Sequence, residues 1–392
     1  MAAGLDVTLI VPADWSEGGA EKQLTEERFP VVELDVKRPN DVNRHRYASS
    51  KILREAIMDA RPDMVDLHEE PFSAVVRQVL RVIPRSLRCV AYAAQNVNKR
   101  FPPPFGAWER AAYARLSGIY PCSLQAASVV RSRGFAGLVE PIPLGVDTSL
   151  FRPGSQSLAD PVLQLTLAGR LVPEKGIYAA LQALAQVRRI RPARLVLAGQ
   201  GPLQSDIERW AAELQITRDV VVRPWLPADE LATVYRTSHA VLVPSSATSR
   251  WVEQFGRMIP EAQAAGAVVV GYASGSIPEV AHGAALLTSE GDAAGLGRSL
   301  VDLFLVNELW EELRCRGFAA AARASWANVG DQQLRFYEQA MAPRLAGFGT
   351  HASARPEFGA SATLAHGISR PFAAPVLRDL PALARLAAFT KD

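Results

Sequence analysis

Short runs of β-branched and apolar residues alternate along the chain with longer stretches in which apolar positions recur at helical spacing. In the first half, this pattern predicts strands at 5–11, 31–34, 64–68 and 89–93. In the second half, it predicts five strands, each followed by a helical pattern, at 163–167, 194–198, 220–222, 240–243 and 268–271. Strands that alternate with helices favour parallel sheets with crossover helices. The sequence therefore predicts an α/β protein.

The alternation pauses where proline and glycine cluster, over 141–147 and 151–154. Two such clusters close together are typical of a linker. We therefore expect two domains, over 1–147 and 148–325, of which the second has the five strand–helix units of a complete doubly wound domain. From residue 346 onward Ala, Gly and Pro dominate and charges are sparse, which predicts a disordered tail over 346–392.

Composition, charge and cysteine spacing argue against several classes of protein. The chain has 392 residues and a formal net charge of +3, too small to imply a nucleic-acid partner. The three cysteines, Cys89, Cys122 and Cys315, stand far apart, so neither a zinc site nor a disulfide framework is predicted. Asp6 interrupts the first apolar run, and no window holds the ~18 apolar residues of a membrane span. We expect a cytoplasmic protein.

The most informative motif is Glu-Gln-Phe-Gly-Arg-Met-Ile-Pro-Glu at 253–261. It crosses from the loop after a predicted strand into a helix that begins at Gly256. Pro260 fits only in the first turn, and the unpaired amides of a helix start form an anion site. Glu253 and Glu261 can then accept hydrogen bonds from hydroxyls on either side of a phosphate. The alternative is two glutamates of which the second merely favours the helix dipole.

Two glycine-bounded loops follow the first two strands of the second half. The loop GRLVPEKG, at 169–176, places Arg170 and Lys175 at the sheet edge where doubly wound domains bind ligands. Arginine can clamp a phosphate through two N–H groups, and lysine acts as a point charge. A solvated loop explains the two cations equally well. The next loop, Gly199-Gln-Gly201, favours a tight turn over a phosphate site.

These motifs stand in order on successive strand–helix units. The complete series is PLGVD (143–147), GRLVPEKG (169–176), AGQGP (198–202), VPS (243–245), EQFGRMIPEA (253–262) and GSIPEV (275–280). In this order they resemble the donor domain of the family-4 retaining glycosyltransferases. That family has the GT-B fold, in which two Rossmann-like doubly wound domains face a cleft. The resemblance also implies that a helix over 326–345 returns to the first domain.

The resemblance implies a nucleoside-diphosphate sugar as donor substrate and no bound cofactor. The positions that it assigns to donor binding are Arg170, Lys175, Trp225, Leu226, Glu253, Phe255, Gly256 and Glu261. The two cations would bind the diphosphate, the first glutamate the sugar and the second the ribose. Amides at the Phe–Gly pair would hold phosphate or sugar oxygens, and the base would lie near the Trp–Leu pair. The implied catalytic residues are Arg170, Lys175, Glu253 and His68.

The first half resembles the family less closely. Its candidate acceptor-side residues are His68, Glu69, Glu70, Gln95 and Asn96. Many members of the family carry a histidine where this chain has Gln95, and His68 can face the cleft instead. A structural histidine is the alternative for His68. Solvated loop charges are the alternative for the two glutamates.

Basic residues concentrate between Arg77 and Arg133. Ten Arg and Lys residues accompany one acid, Glu109, so the local balance is +9. One interpretation is contact with an anionic membrane or a lipid-phosphate acceptor. A solvated helix face is the other.

The resemblance implies an enzyme that transfers a sugar to an acceptor hydroxyl with retention of configuration and without a metal. Fixed cations and helix-start amides can stabilise a leaving diphosphate in place of Mg²⁺. We expect a carbohydrate or lipid-linked acceptor, cell-envelope polysaccharide or glycolipid as product, and a peripheral position on the inner face of the membrane. A nucleotide-sugar epimerase of the same fold and an inactive donor-binding scaffold are the alternatives.

One family feature has no counterpart at the start of this chain. Family members open with a strand, a glycine-bearing loop and a helix, and the strand at 5–11 matches the second strand of their sheet. The missing strand would be central, so its absence would leave two inner sheet edges with unpaired backbone groups. We therefore expect either an upstream start or poor folding, unless the flanking strands pair directly.

Overall fold

Two parallel sheets organise the chain, as the alternation predicts. The computed structural model describes residues 5–17, 20–21, 29–342 and 385–389. The strands of the first half are β1 Asp6–Pro12, β2 Ser16–Glu17, β3 Ala20–Glu21, β4 Val31–Leu34, β5 Val36–Lys37, β6 Arg46–Tyr47, β7 Met64–Leu67, β8 Arg88–Ala93, β9 Gly118–Pro121 and β10 Leu138–Val139. Its helices are α1 Ser50–Asp59, α2 Ala74–Val82, α3 Phe105–Tyr113 and α4 Leu124–Ser132.

The second half repeats the strand–helix alternation. Its strands are β11 Leu163–Ala168, β12 Ala193–Ala198, β13 Val220–Arg223, β14 Ala240–Val243, β15 Val268–Tyr272 and β16 Ala285–Thr288. Its helices are α5 Ile177–Val187, α6 Gln204–Glu213, α7 Ala228–Tyr235, α8 Met258–Ala265, α9 Ile277–Ala281, α10 Ala293–Leu305 and α11 Asn307–Arg323. Two 3₁₀ turns, Pro173–Lys175 and Thr217–Asp219, precede α5 and β13. The helix α12 Trp326–Met341 and the strand β17 Arg385–Phe389 complete the described elements.

The second sheet has the strand order β13-β12-β11-β14-β15-β16, and every neighbouring pair is parallel. This is the 3-2-1-4-5-6 order of a doubly wound domain. It has six strands, one more than the pattern predicts, because β16 is a short, half-buried edge strand. In such a sheet, ligands bind beyond the carboxyl ends of the strands, near the point where the order reverses. Here that point lies between β11 and β14.

The first sheet has the order β10-β9-β8-β7-β17-β1-β4. Its central strand comes from the far end of the chain: β17 is parallel to both β1 and β7. The predicted disorder of the tail is therefore wrong for 385–389, and the rest of that tail from 346 lies outside the described residues. The predicted unpaired inner edges are absent from this part of the sheet, because β17 pairs with both of them.

The chain crosses between the domains twice, at adjacent points. Val146 accepts the amide of Trp326 and donates its own amide to Ala324, at 3.2 and 2.8 Å. From there α12, which starts at the N-cap Ser325, runs over the first sheet and buries Phe336 completely beside the backbone of β9. The helix that follows the second crossing is therefore fixed to the first domain.

Candidate functional site

Three loops at the carboxyl edge of the second sheet approach one another closely at glycines. A Cβ atom on Gly176 would lie 2.1 Å from the carbonyl oxygen of Pro244, and its φ of +66° is left-handed. A Cβ on Gly199 would lie 1.9 Å from the carbonyl oxygen of Gly169. Only glycine tolerates such contacts. The loops after β11, β12 and β14 therefore form one packed rim, and Gly199 serves that packing.

A buried ion pair lies at the centre of this rim. Lys175 Nζ is 2.6 Å from Glu253 Oε2, and the two side chains are 11% and 9% exposed. Ser245 Oγ donates to the same carboxylate oxygen at 3.0 Å. The lysine ammonium also lies 5.2 Å from the centre of the Trp251 ring. The cation assigned to a diphosphate and the carboxylate assigned to a sugar are thus adjacent.

The backbone of Glu253 is held from two sides. Its carbonyl oxygen accepts the Asn96 side-chain amide at 2.9 Å and the Ser276 backbone amide at 3.1 Å. Asn96 belongs to the first domain and is 5% exposed. The candidate sugar-binding carboxylate is therefore fixed by a contact that spans both domains.

The start of α8 presents free donors next to this pair. Gly256 has a φ of +85°, and Phe255 before it is buried. Among the described residues, none accepts a hydrogen bond from the amides of Phe255, Gly256 or Arg257. Unpaired amides at a helix start attract an anion. Pro260 stands in the first turn, where its missing N–H breaks no helical hydrogen bond.

Glu261 lies in the first turn of α8, with its side chain 13% exposed. Burial raises the pKa of this carboxyl to about 7, while Arg257 opposes the shift. The Nε atom of Arg257 lies 3.9 Å from Glu261 Oε1. At neutral pH this carboxyl is therefore divided between its neutral and charged forms, and both can accept a hydrogen bond from a ligand hydroxyl.

The remaining donor candidates lie on the outer part of the rim. Arg170 follows β11 and is exposed. Trp225 and Leu226 follow β13; the tryptophan is 58% exposed, and the leucine packs partly against the core. All three therefore stand beyond the carboxyl ends of their strands, on the side of the Lys175–Glu253 pair.

The first sheet places a buried carboxylate beside the predicted cleft histidine. Asp66, in β7, is completely buried, and its Oδ2 lies 3.1 Å from Nε2 of the part-exposed His68. Tyr120 donates to Asp66 Oδ1 at 2.6 Å, and Tyr337 of α12 donates to Oδ2. Burial, reinforced by Asp66, raises the pKa of both phenols well above their usual value. Both tyrosines therefore stay protonated and hold the carboxylate that contacts His68.

The two acceptor-side glutamates are not solvated loop charges. Glu69 is 8% exposed, with Oε1 3.4 Å from His45 Nε2. Glu70 Oε1 accepts the backbone amides of Ala94 and Gln95, both at 2.9 Å. The Glu70 contacts shape the loop after β8, and Gln95 Oε1 in turn accepts the Val97 amide. Both glutamates therefore organise the first-domain wall.

A cavity of about 730 Å³ opens between this wall and the second domain. His68, Glu69, Glu70 and Gln95 line it from the first domain, and Gln254 lines it from the second. Three cations and three phenylalanines are among its other lining residues: Arg44, Lys99, Arg100, Phe72, Phe101 and Phe105. Lys99 and Arg100 belong to the basic stretch, but no sequence motif assigns any of the six to a cavity, because they come from separate segments without regular spacing. Asn96, the fifth acceptor-side candidate, instead joins the domains.

The basic stretch divides into paired and exposed cations. Four of its ten cations bind within the protein: Arg133 to Glu109, Arg115 to the carbonyls of Pro84 and Arg85, Arg131 to the Gly137 carbonyl, and Arg77 over the Trp108 ring. Five others are exposed: Arg81, Arg85, Lys99, Arg100 and Arg110. Fewer cationic side chains of this surface are therefore free to contact an external anion than the sequence count indicates.

No group of three or more His, Cys, Asp or Glu in the described ranges is arranged to hold a metal ion. None of the helices that the structure describes is long and apolar enough to cross a membrane.

Comparison with known proteins identifies the architecture. Residues 155–316 match the family model of glycosyl transferases, group 1. The D-inositol 3-phosphate glycosyltransferase of Segniliparus rotundus is 31% identical over 217 residues, which cover 52% of this chain and 47% of that protein. The chain thus spans about half the length of the curated relatives it matches.

Solved structures extend the comparison to both domains. The Anabaena protein HepE, in complex with UDP and glucose, matches with a TM-score of 0.61 and 17% identity over 79% of this chain and 86% of that chain. A glycosyltransferase from Rickettsia africae matches with a TM-score of 0.66 and 14% identity, over 86% and 99%. The fold is GT-B. The group 1 model falls on the second GT-B domain, which contains Lys175, Glu253 and the start of α8.

Proposed function

We propose that this protein is a glycosyltransferase that moves a sugar from a nucleoside-diphosphate sugar to an acceptor hydroxyl. The Lys175–Glu253 pair carries the proposal, because one ligand that carries both a phosphate and a hydroxylated ring satisfies both charges. The pair lies inside the region that matches the group 1 model. The complex of HepE with UDP and glucose supports this class of donor.

In the proposed complex, the diphosphate lies between Lys175, Arg170 and the free amides at Phe255 and Gly256. Arginine and helix-start amides give directed hydrogen bonds to phosphate oxygens, and the lysine adds a buried charge. Glu253 accepts hydrogen bonds from the sugar. These contacts strengthen as charge develops on the departing diphosphate, which is how fixed donors lower a barrier.

Glu261 accepts the ribose hydroxyls, and the base lies against the exposed face of Trp225 beside Leu226. An indole surface favours stacking with any base. Stacking of the base on Trp225 would explain why this large aromatic ring is 58% exposed at the sheet edge.

The proposed reaction retains the anomeric configuration and uses no metal. The bond between the anomeric carbon and the diphosphate oxygen breaks, and a bond from the acceptor oxygen to that carbon forms on the same face. The acceptor proton passes to an oxygen of the departing diphosphate. Arg170 and Lys175 take the charge-neutralising role that Mg²⁺ has in other phosphate-transfer sites.

The acceptor lies in the 730 Å³ cavity, with its hydroxyl at His68. Asp66 holds the imidazole through Nε2, so the ring edge facing the cavity is oriented before the acceptor arrives. Apolar and cationic lining residues suit a carbohydrate or lipid-linked acceptor. The exposed cations at Arg81, Arg85 and Arg110 then support a peripheral position on an anionic membrane and a role in cell-envelope synthesis.

The test is a thermal-shift screen of nucleoside diphosphates and their sugars, followed by turnover with the strongest ligand. A donor raises the melting temperature by mass action. We expect nucleoside diphosphate to be released only when an acceptor is added. Epimerised donor without acceptor would support an epimerase, and donor binding without either reaction would support a scaffold. Failure of every nucleotide to bind would overturn the proposal.

A further inference from the structure

The central strand of the first sheet is supplied from the far end of the chain. Five residues of β17 pair with β1, from Asp6 with Arg385 to Ile10 with Phe389. Four residues of β17 pair with β7, from Met64 with Leu386 to Leu67 with Phe389. The order β4-β1-β17-β7-β8-β9 is then 3-2-1-4-5-6, with β17 in the first position.

The position that β17 fills is an interior one. All four residues of β7 are buried, and Ile10 and Val11 of β1 are 0% and 4% exposed. Without a strand between them, β1 and β7 would each present a row of unpaired amides and carbonyls inside the domain. Such groups are costly to bury, and another extended segment satisfies them best.

The helix α12 ends near the amino end of β7, where β17 begins. Met341, at the end of α12, packs in the same apolar cluster as Met64, the first residue of β7. Leu386 pairs with that same Met64 near the start of β17. The end of α12 and the start of β17 therefore both lie near the amino end of β7.

We propose that residues 385–389 of this chain act as an inserted strand that completes the acceptor half of the molecule. The strand ends at Phe389, paired with Leu67, which is the last residue of β7 and immediately precedes His68 and Glu69. It therefore supports the strand that leads directly into the cavity wall. The donor residues lie on the other sheet, and the Asn96 contact that reaches the Glu253 carbonyl comes from the loop after β8 rather than from β7 or β17. The functional part of this inference rests on the proposed transferase activity, whereas the structural part does not.

Hydrogen exchange on the unmodified full chain tests the structural part. We expect amides of 385–389 to exchange at least about a thousandfold more slowly than in the free peptide, since central strands open only with much of the domain. Amides of β1 and β7 should show similar protection. Exchange of 385–389 at the free-peptide rate would overturn the inference. Protection confined to a dimer would also overturn it, because the strand would then come from another copy.

A proline in the strand tests the functional part. Ala387→Pro removes one ladder hydrogen bond and disfavours a central strand, and Ala360→Pro, outside the described residues, is the matched control. We expect Ala387→Pro to lower the melting temperature by at least about 5 °C and transfer at least tenfold. Its nucleotide affinity should stay within about twofold of the control. Added peptide 382–392 should restore transfer, and a scrambled peptide should not.

The outcomes separate the two proposals. If Ala387→Pro and Ala360→Pro behave alike, the inserted strand is refuted, whatever the enzyme does. If Ala387→Pro loses nucleotide binding together with transfer, the confinement of its effect to the acceptor half is refuted. If the unmodified protein shows no transfer but protects 385–389, the proposed function fails and the strand assignment stands.

Discussion

The buried pair Lys175–Glu253 predicts a large energetic coupling between two residues assigned to different parts of one ligand. At 2.6 Å and an effective dielectric constant of about 20, the attraction between the charges is about 6 kcal/mol. Desolvation of two side chains that are 11% and 9% exposed offsets much of it. Removal of one partner leaves the other charge buried and unpaired, which costs about 3–5 kcal/mol.

The perturbation is Lys175→Met, Glu253→Gln and the double variant. Each single variant should lose about 3 kcal/mol of unfolding free energy, and the double variant should lose less than the sum by about 1–3 kcal/mol. The assay is urea unfolding followed by tryptophan fluorescence. The matched control is the exposed pair Lys51–Glu55, 3.8 Å apart and 84% and 57% exposed, where the same substitutions should change stability by less than about 0.5 kcal/mol.

Binding assays then test which part of the ligand each of the two charged residues contacts. Lys175→Met should weaken a nucleoside diphosphate and its sugar about tenfold or more, because each loses a charged hydrogen bond. Glu253→Gln should weaken only the nucleotide sugar. Strictly additive stability losses would refute the coupling. Equal effects of Glu253→Gln on the diphosphate and the sugar would refute the division of roles.

Burial raises the pKa of the Glu261 carboxyl from 4.5 to about 7. Between about pH 4.5 and 7, this carboxyl therefore holds a proton in the folded protein but releases it in the unfolded chain. Stability should therefore fall as pH rises through that window, by up to about 3 kcal/mol relative to Glu261→Gln, and a parallel pH profile for the two proteins would contradict this. Tyr337→Phe should lower kcat several-fold without changing nucleotide affinity, since it loosens Asp66 rather than the donor site; a kcat equal to that of the unmodified protein would exclude such positioning. Turnover should persist in excess EDTA, and loss of activity that Mn²⁺ or Mg²⁺ restores would show a metal requirement. Binding to anionic vesicles should fade with salt and weaken in Arg81→Ser/Arg85→Ser, whereas salt-independent binding would point to apolar contact.

The fold of the second domain could be predicted from the sequence because each of its strands and motifs is recognisable from a short continuous segment. Each strand is a short apolar run, and each motif follows its strand directly, so sheet topology brings the motifs to one edge. Lys175 and Glu253 were assigned to one ligand, but their 2.6 Å contact was not predicted. That distance depends on how closely the loops pack at Gly176, which no spacing rule gives.

The first domain was predicted less completely, for physical reasons. Gly118–Pro121 forms a wholly buried strand with only four residues and no alternation to reveal it. The Asp66-x-His68 spacing places both residues on one face of a strand, which was a usable signal. The donation from Tyr337 to Asp66 joins residues 271 positions apart. The five residues of β17, Arg-Leu-Ala-Ala-Phe, include none of the β-branched types that favour strands, so local propensity predicts no strand there.

The two halves of the site are therefore built in different ways. Every donor candidate comes from one continuous stretch, 170–261, on a sheet whose strands are all drawn from the same half of the chain. The acceptor wall depends on β7, on Tyr337 from α12 and on β17, which joins the sheet from the C-terminal side. Changes in α12 and β17 should consequently act on transfer while leaving nucleotide binding intact. Because of this separation, variants in the two halves can distinguish donor binding from sugar transfer by experiment.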